Sequence, residues 1–373
     1  MQVKFAAVAF AALVASAPVL AGQSIATSSL YGSTIERAIL AGDGDTFADY
    51  IPSNRVDDNL PTSPFSGVVS VSIRFDLGTP QAAGYICSGA LLDSYHVLTA
   101  AHCIDSNDMG TPITLNASND VRVRFNQNNP ASLPSTSGGA TQIAATKVTM
   151  HKDYDGFNVC SDGSGGCLND DLAIITLSEA APADAARYSI WGSDLQTGQR
   201  IIMAGYGTSG TGLLGHIGGT ANFYVKKTAE NRTDVFDLDD EMGFAGGAQE
   251  VWYGDFDGFD FRGQWQDTFC QINLACTPTR GLNVEGNIGG GDSGGPSFVV
   301  DGGQLYLVGN NTFGGTWPDQ VSGTYGTYFG GMALAGYTGW ISEVTAVPEP
   351  QTYALMLGGL LAIGALAKRR NQD

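Results

Sequence analysis

A histidine, an aspartate and a serine stand in surroundings that suit proton transfer and nucleophilic attack. His102 ends the run Val97-Leu98-Thr99-Ala100-Ala101-His102 and is followed by Cys103, so small residues and a cysteine would hold a base rigidly at a strand end. Asp171 heads the apolar run Asp171-Leu172-Ala173-Ile174. Ser293 lies in Gly291-Asp292-Ser293-Gly294-Gly295-Pro296, whose glycines permit a tight turn that exposes the hydroxyl and gathers backbone N–H groups. A serine hydroxyl is a weak nucleophile near neutral pH until an adjacent base takes its proton. Imidazole titrates in the right range for that task, and a buried carboxylate fixes its tautomer. The set therefore reads as His102 the general base, Asp171 its orienting acid and Ser293 the nucleophile. Asp170 is adjacent, but the Asp-Leu-Ala-Ile register favours Asp171. His96, His151 and His216 lack such surroundings and read as surface or structural histidines.

Strands and tight turns must position these groups. Val68–Ile73 and Val121–Phe125 alternate apolar and polar residues, as half-buried strands do. Leu172–Leu177, Ile201–Ala204 and Leu305–Val308 read as further buried strands, separated by Gly, Pro, Asn and Asp clusters. Ser33-Thr34-Ile35-Glu36 has capping-box spacing ahead of Arg37–Leu40, which predicts one short helix. Thr338-Gly339-Trp340-Ile341 begins a closing helix. The whole points to an all-β domain. Cys87 and Cys103 are placed to pair around the histidine, while Cys160 with Cys167 and Cys270 with Cys276 bracket short loops suited to local disulfides. No CxxC and no histidine cluster suggests a metal, so neither metal nor cofactor is expected. The acidic stretches Asp234–Glu241 and Asp255–Asp260 could offer calcium oxygen ligands, but neither fits an EF-hand, and both read as solvated loops.

Apolar residues at 43% and charged ones at only 15% exclude a disordered chain. The formal net charge of −19 argues against nucleic acid as partner, because Lys and Arg supply that affinity. Residues 1–21 combine Lys4, an apolar run from Phe5 to Leu20 and small residues near Ala21, the pattern of a secretory signal peptide. Export places six cysteines in an oxidising compartment, where an even number implies disulfides. At the other end Val347-Pro348-Glu349-Pro350 precedes an apolar run from Tyr353 to Ala367 and then Lys368-Arg369-Arg370. As a helix that run spans roughly 22 Å, short of a hydrocarbon core of ~30 Å. It suits a marginal or temporary anchor with its basic end cytoplasmic.

The histidine and serine boxes resemble those of trypsin/chymotrypsin-like serine proteases. Thr99–Cys103, Asp171-Leu172-Ala173, Gly205-Tyr206-Gly207 and Gly291–Pro296 match that family's motifs in chain order, and the likeness spans roughly residues 56–345. It implies two six-stranded antiparallel β-barrels with a short C-terminal helix, and a serine endopeptidase acting on proteins or peptides. It also implies an oxyanion hole from the N–H groups of Gly291 and Ser293, and substrate contacts at Asn287, Thr312 and Gly314. The tail resembles the PEP-CTERM sorting signal of Gram-negative bacteria on all three of its parts. That likeness implies processing by an exosortase-type enzyme, transient membrane contact, and a final place at the cell surface or outside the cell. The expected organisation is signal peptide 1–21, propeptide 22–55, protease domain 56–346 and sorting tail 347–373.

Departures from the family pattern matter too. The usual Ile-Val-Gly-Gly start is absent, and Asn54-Arg55-Val56-Asp57 is the nearest activation site. The resemblance implies that a freed Val56 ammonium pairs with Asp292. Where trypsin carries an aspartate, six residues before the nucleophile, this chain has Asn287, so strict Lys/Arg specificity is not expected. Gly289 replaces a family cysteine. The competing reading is a catalytically silent, protease-like surface adhesin, although a binding role needs none of His102, Asp171 and Ser293.

Overall fold

Among the described residues, the first strands are β1 (Ser28–Leu30), β2 (Ser33–Arg37) and β3 (Ile39–Gly42). The computed structural model describes these strands by backbone, and residues 56–128, 139–282 and 284–346 in full. The expected signal peptide (1–21), the expected cleavage point at Arg55 and the expected sorting tail (347–373) lie outside the described residues. The helix expected over 33–40 is not formed. Instead β2 adds antiparallel to a strand at 313–316, and β3 to one at 286–289. Strand addition supplies partners to the same backbone groups that a capped helix would use, and the β-branched Thr34 and Ile35 favour it.

Alternation shapes the first half of the molecule. Strands β4 (Val68–Phe75), β5 (Ala83–Leu91), β6 (His96–Thr99), β7 (Asp120–Phe125), β8 (Thr141–Met150) and β9 (Ala173–Leu177) close a barrel in the order β4-β5-β6-β9-β8-β7. In β7, Val121, Val123 and Phe125 point inward while Asp120, Arg122 and Arg124 stay half-exposed. With Val69, Val71, Ile73, Leu91, Val97 and Ile175 they fill the barrel core. Each such side chain stabilises the fold by about 1.5–3 kcal/mol through burial.

The second half carries β10 (Arg200–Gly205), the hairpin β11 (Ser209–Thr211) and β12 (Gly215–Ile217), β13 (Lys227–Arg232), β14 (Val235–Leu238) and β15 (Gln249–Asp255). The hairpin β16 (Gly258–Phe259) and β17 (Trp265–Gln266) leads to the short helix α1 (Thr268–Gln271). Then come β18 (Gly286–Gly289), β19 (Pro296–Asp301), β20 (Gln304–Asn310), β21 (Phe313–Thr316), β22 (Tyr328–Met332) and the closing helix α2 (Thr338–Thr345). Here the expected second barrel is not seen as a closed ring among the described residues. The strands form one sheet ordered β13-β10-β19-β20 and another ordered β1-β2-β21-β22-β15-β14. The single bridge Gly309↔Ala333 joins β20 to the end of β22. Glycine allows the close crossing there: a Cβ on Gly331 would lie 1.7 Å from the Asn310 carbonyl oxygen. The three expected disulfides, Cys87–Cys103, Cys160–Cys167 and Cys270–Cys276, are all formed.

Candidate active site

His102 sits in a turn of 3-10 helix, Ala101–Cys103, directly after β6. Asp171 precedes β9, the neighbour of β6 in the barrel. That adjacency brings the two side chains together although 69 residues separate them. Asp171 Oδ2 lies 2.6 Å from His102 Nδ1, and Asp171 Oδ1 accepts the His102 backbone N–H at 2.8 Å. Two hydrogen bonds to one carboxylate fix both the ring and the turn that bears it. The pair is 2% and 1% exposed, so little water screens it. Phe157 meets the imidazole edge-on at 5.3 Å. Asp170 points elsewhere, its Oδ1 lying 2.8 Å from His151 Nδ1, so the structure pairs Asp171, not Asp170, with His102. Asn310 Nδ2 donates to the Asp171 carbonyl at 3.2 Å.

Ser293 reaches the same place from the other half of the molecule. Its carbonyl accepts the Ser88 N–H at 2.8 Å, and Cys103 Sγ lies 3.7 Å from that oxygen. Gly294 must be glycine: its φ is +78°, and a Cβ would lie 2.2 Å from Thr99 Oγ1. Gly294 N–H donates to the Asn311 carbonyl at 2.7 Å, which ties the serine turn to the segment leading into β21. Among the described residues, no hydrogen bond joins Ser293 Oγ to His102, a contact that substrate-free sites often leave loose. The N–H groups of Gly291 and Ser293 donate to no other described group. Sequence reasoning missed Ser88. Its Oγ donates to the Gly291 carbonyl at 2.8 Å and accepts the Tyr206 N–H at 3.0 Å, joining barrel, glycine turn and serine loop.

Asp292 is fully buried and accepts the N–H groups of Gly207 at 2.8 Å and Gly289 at 3.0 Å. A Cβ on Gly205 would lie 2.0 Å from its Oδ1, which accounts for the Gly-Tyr-Gly turn. Lys227, 1% exposed, donates from Nζ to the Gly207 carbonyl. Burial raises the Asp292 carboxyl pKa and lowers that of the Lys227 ammonium, while their mutual attraction opposes both shifts. Val56 bridges Lys227 by backbone, on the side of β13 away from Gly205. The only sequence signal for Lys227 was a Lys-Lys pair in an acidic chain.

Asn287 lies on β18, Thr312 just before β21 and Gly314 on β21. Asn287 is 2% exposed, with Nδ2 donating to Thr327 Oγ1 at 2.8 Å. Thr312 is fully buried and bonds Asn310 Oδ1 at 3.3 Å. The Gly314 Cβ position is open, with the Tyr328 carbonyl oxygen the nearest atom at 3.9 Å. By backbone, β18 pairs with β3 and β21 with β2, Glu36 opposite Gly314 and Arg37 opposite Phe313. Of the other histidines, His96 Nδ1 lies 2.8 Å from Asp93, and burial pushes His216 down to about 3. The acidic stretches are not the solvated loops expected. Asp234, Asp255 and Asp257 are at most 3% exposed and Asp240 is 9% exposed, because β14, β15 and the loops after them fold inward.

The sequence model described as Trypsin matches residues 59–255, a span that includes His102 and Asp171 and ends before Ser293. "Trypsin Tyr p 3.0101" of Tyrophagus putrescentiae is 30% identical over 132 residues, which cover 35% of this chain and 40% of that protein. "Trypsin Blo t 3" of Blomia tropicalis is 28% identical over 137 residues, 35% of this chain and 42% of the relative. The chain thus spans about two-fifths of the length of the curated relatives it matches.

Proposed function

Since this chain belongs to the trypsin family, we propose that it is an exported serine endopeptidase that hydrolyses peptide bonds through an acyl-enzyme. The observation that carries this reading is the buried Asp171–His102 pair facing the Ser293 turn. In the reaction His102 Nε2 takes the Ser293 Oγ proton as the oxygen attacks the carbonyl carbon. The imidazolium so formed is stabilised by Asp171 and returns the proton to the leaving amine. The N–H groups of Gly291 and Ser293 receive the oxyanion, and losing one such donor typically costs about 3–4 kcal/mol in the transition state. Water then repeats the cycle on the acyl-enzyme. Hydrolysis of casein by the exported protein, lost about 10⁶-fold in Ser293→Ala, is the expected result; undiminished hydrolysis by that variant would reject the reading.

Residues 1–21 act as signal peptide and 347–373 as a sorting tail handled by an exosortase-type enzyme after brief contact with the inner membrane. The sequence motifs support this; the described residues contain no helix long and apolar enough to cross a membrane. Residues 22–55 act as a propeptide. In support, β2 and β3 take the edges of β21 and β18, the strands that carry Gly314 and Asn287. A substrate chain would need those edges. Asn287 in place of an acid leaves a cationic side chain without a buried counter-charge, so substrates carry an uncharged residue before the cleaved bond.

Asp292 has two prospective cations. Cleavage after Arg55 would free the Val56 ammonium for it. Position favours Lys227, which already reaches the Gly207 carbonyl while Asp292 holds the Gly207 N–H. Val56 lies across β13, two strands from Gly205, roughly 10 Å at ordinary strand spacing.

A further inference from the structure

Four carboxylates converge behind Asp171, which orients His102. Asp170 precedes β9, Asp240 and Glu241 follow β14, and Glu250 lies in β15, and one carboxylate oxygen of each falls within 4.8 Å of the others. Asp170, Asp240 and Glu250 are 2%, 9% and 6% exposed, while Glu241 opens to solvent. His151 meets Asp170, but among the described residues no Lys or Arg forms an ion pair with any of the four. Buried carboxylates crowded in this way repel one another unless protons or a cation intervene.

Two further atoms point to a ligand. Asp240 Oδ2 accepts the Ser161 N–H at 3.2 Å, yet its Oδ1 is buried without any hydrogen-bond partner. Asn169, outside the acidic set and 8% exposed, donates from Nδ2 to Glu250 Oε2 at 2.7 Å and to the Leu238 carbonyl at 3.0 Å. Its Oδ1 is likewise buried and unpartnered. A buried carbonyl or carboxylate oxygen left unbonded is destabilising, so two beside one acidic cluster call for a positive partner.

We propose that Asp170, Asp240, Glu241 and Glu250, with the Asn169 amide oxygen, bind one calcium ion. The donors are all hard oxygens drawn from three separate segments, which suits an ion that accepts 6–8 oxygens in flexible geometry over the smaller, strictly octahedral magnesium. Glu241 supplies the entry side. Because Asn169 and Asp170 run directly into Asp171, the ion pins the backbone that presents the orienting carboxylate to His102. Burial and the Asp170 charge push Glu250 up to about 8 and Glu241 up to about 7, the shifts that a bound cation would reverse.

Calcium titration of the chelator-treated full-length chain by calorimetry tests the site without reference to proteolysis. Binding of one ion with a Kd of ~10⁻³ M or tighter is expected. Asp240→Asn and Glu250→Gln should each weaken it at least about tenfold, and Asp257→Asn, in another acidic cluster, should not. Glu241→Gln changes an exposed side chain that the fold does not need, and should weaken binding even if the buried variants misfold. No binding up to about 10 mM calcium, equal binding of magnesium, or wild-type affinity in Glu241→Gln and in the folded buried variants would each overturn the proposal.

Discussion

Asp171 makes two hydrogen bonds to His102, one to the ring and one to its backbone, so an amide in its place keeps the shape but offers Nδ1 the wrong partner. Asp171→Asn is expected to lower kcat about 10⁴-fold with little change in KM, measured on a peptide substrate. An unchanged kcat would remove Asp171 from the mechanism. Lys227→Met is expected to lower activity at least about tenfold in both the uncleaved and the Arg55-cleaved enzyme, because a buried Asp292 is left without its cation. If only the uncleaved form suffers, the Val56 ammonium is the partner instead. His102 and Ser293 were legible because each stands in a run of small or glycine residues that sterics demand, and Asp171 because it heads an apolar strand. Lys227, Ser88 and Asn310 were not: they act through bonds to distant backbone, and apart from the Lys226-Lys227 pair nothing in their neighbours marks them.

At the level of elements, the leader strand β2 occupies the β21 edge with Arg37 opposite Phe313, close to the Asn311 segment that holds the serine turn. Removing residues 22–55 should therefore raise peptidase activity at least about tenfold, and a synthetic peptide of residues 33–42 should inhibit the trimmed enzyme by occupying the same edges. Equal activity with and without the leader would contradict that role. The capping-box pattern at Ser33–Glu36 misled because a local signal was outcompeted by an open strand edge that only the folded molecule presents. Glu250 on β15 gives a further expectation. Its folded pKa, about 8, lies above the ordinary 4.5, so the protonated form stabilises the fold; that contribution is complete below 4.5 and is lost as pH rises through 8. Burial, then the charges of Asp170, Asp239 and Glu241, push its pKa up, Asn169 donates a bond to it, and His151 meets Asp170. Thermal unfolding of calcium-free protein should therefore fall in temperature between pH 5 and 8, and Glu250→Gln should flatten the fall; a rise in that window would refute it.

For the whole molecule, the alternation in Asp120–Phe125 announced the barrel that formed, since one buried face imposes period two, whereas Val68–Ile73, expected to be half-buried, is buried on both faces. The second half was less legible. Its strands are short and rich in glycine, and they cross at single bridges, so no periodic pattern states how the sheets meet. The acidic surplus that argues against a nucleic-acid partner also conceals two inward-facing carboxylate groups, because composition does not record burial. In the proposed function the two halves of the molecule converge on one serine as the nucleophile. Phenylmethylsulfonyl fluoride treatment of the leader-free protein, followed by peptide mapping, tests it most directly. One sulfonyl group per chain is expected, carried by Ser293 and absent after His102→Ala. Labelling spread over other serines, or none while the fold is intact, would contradict it.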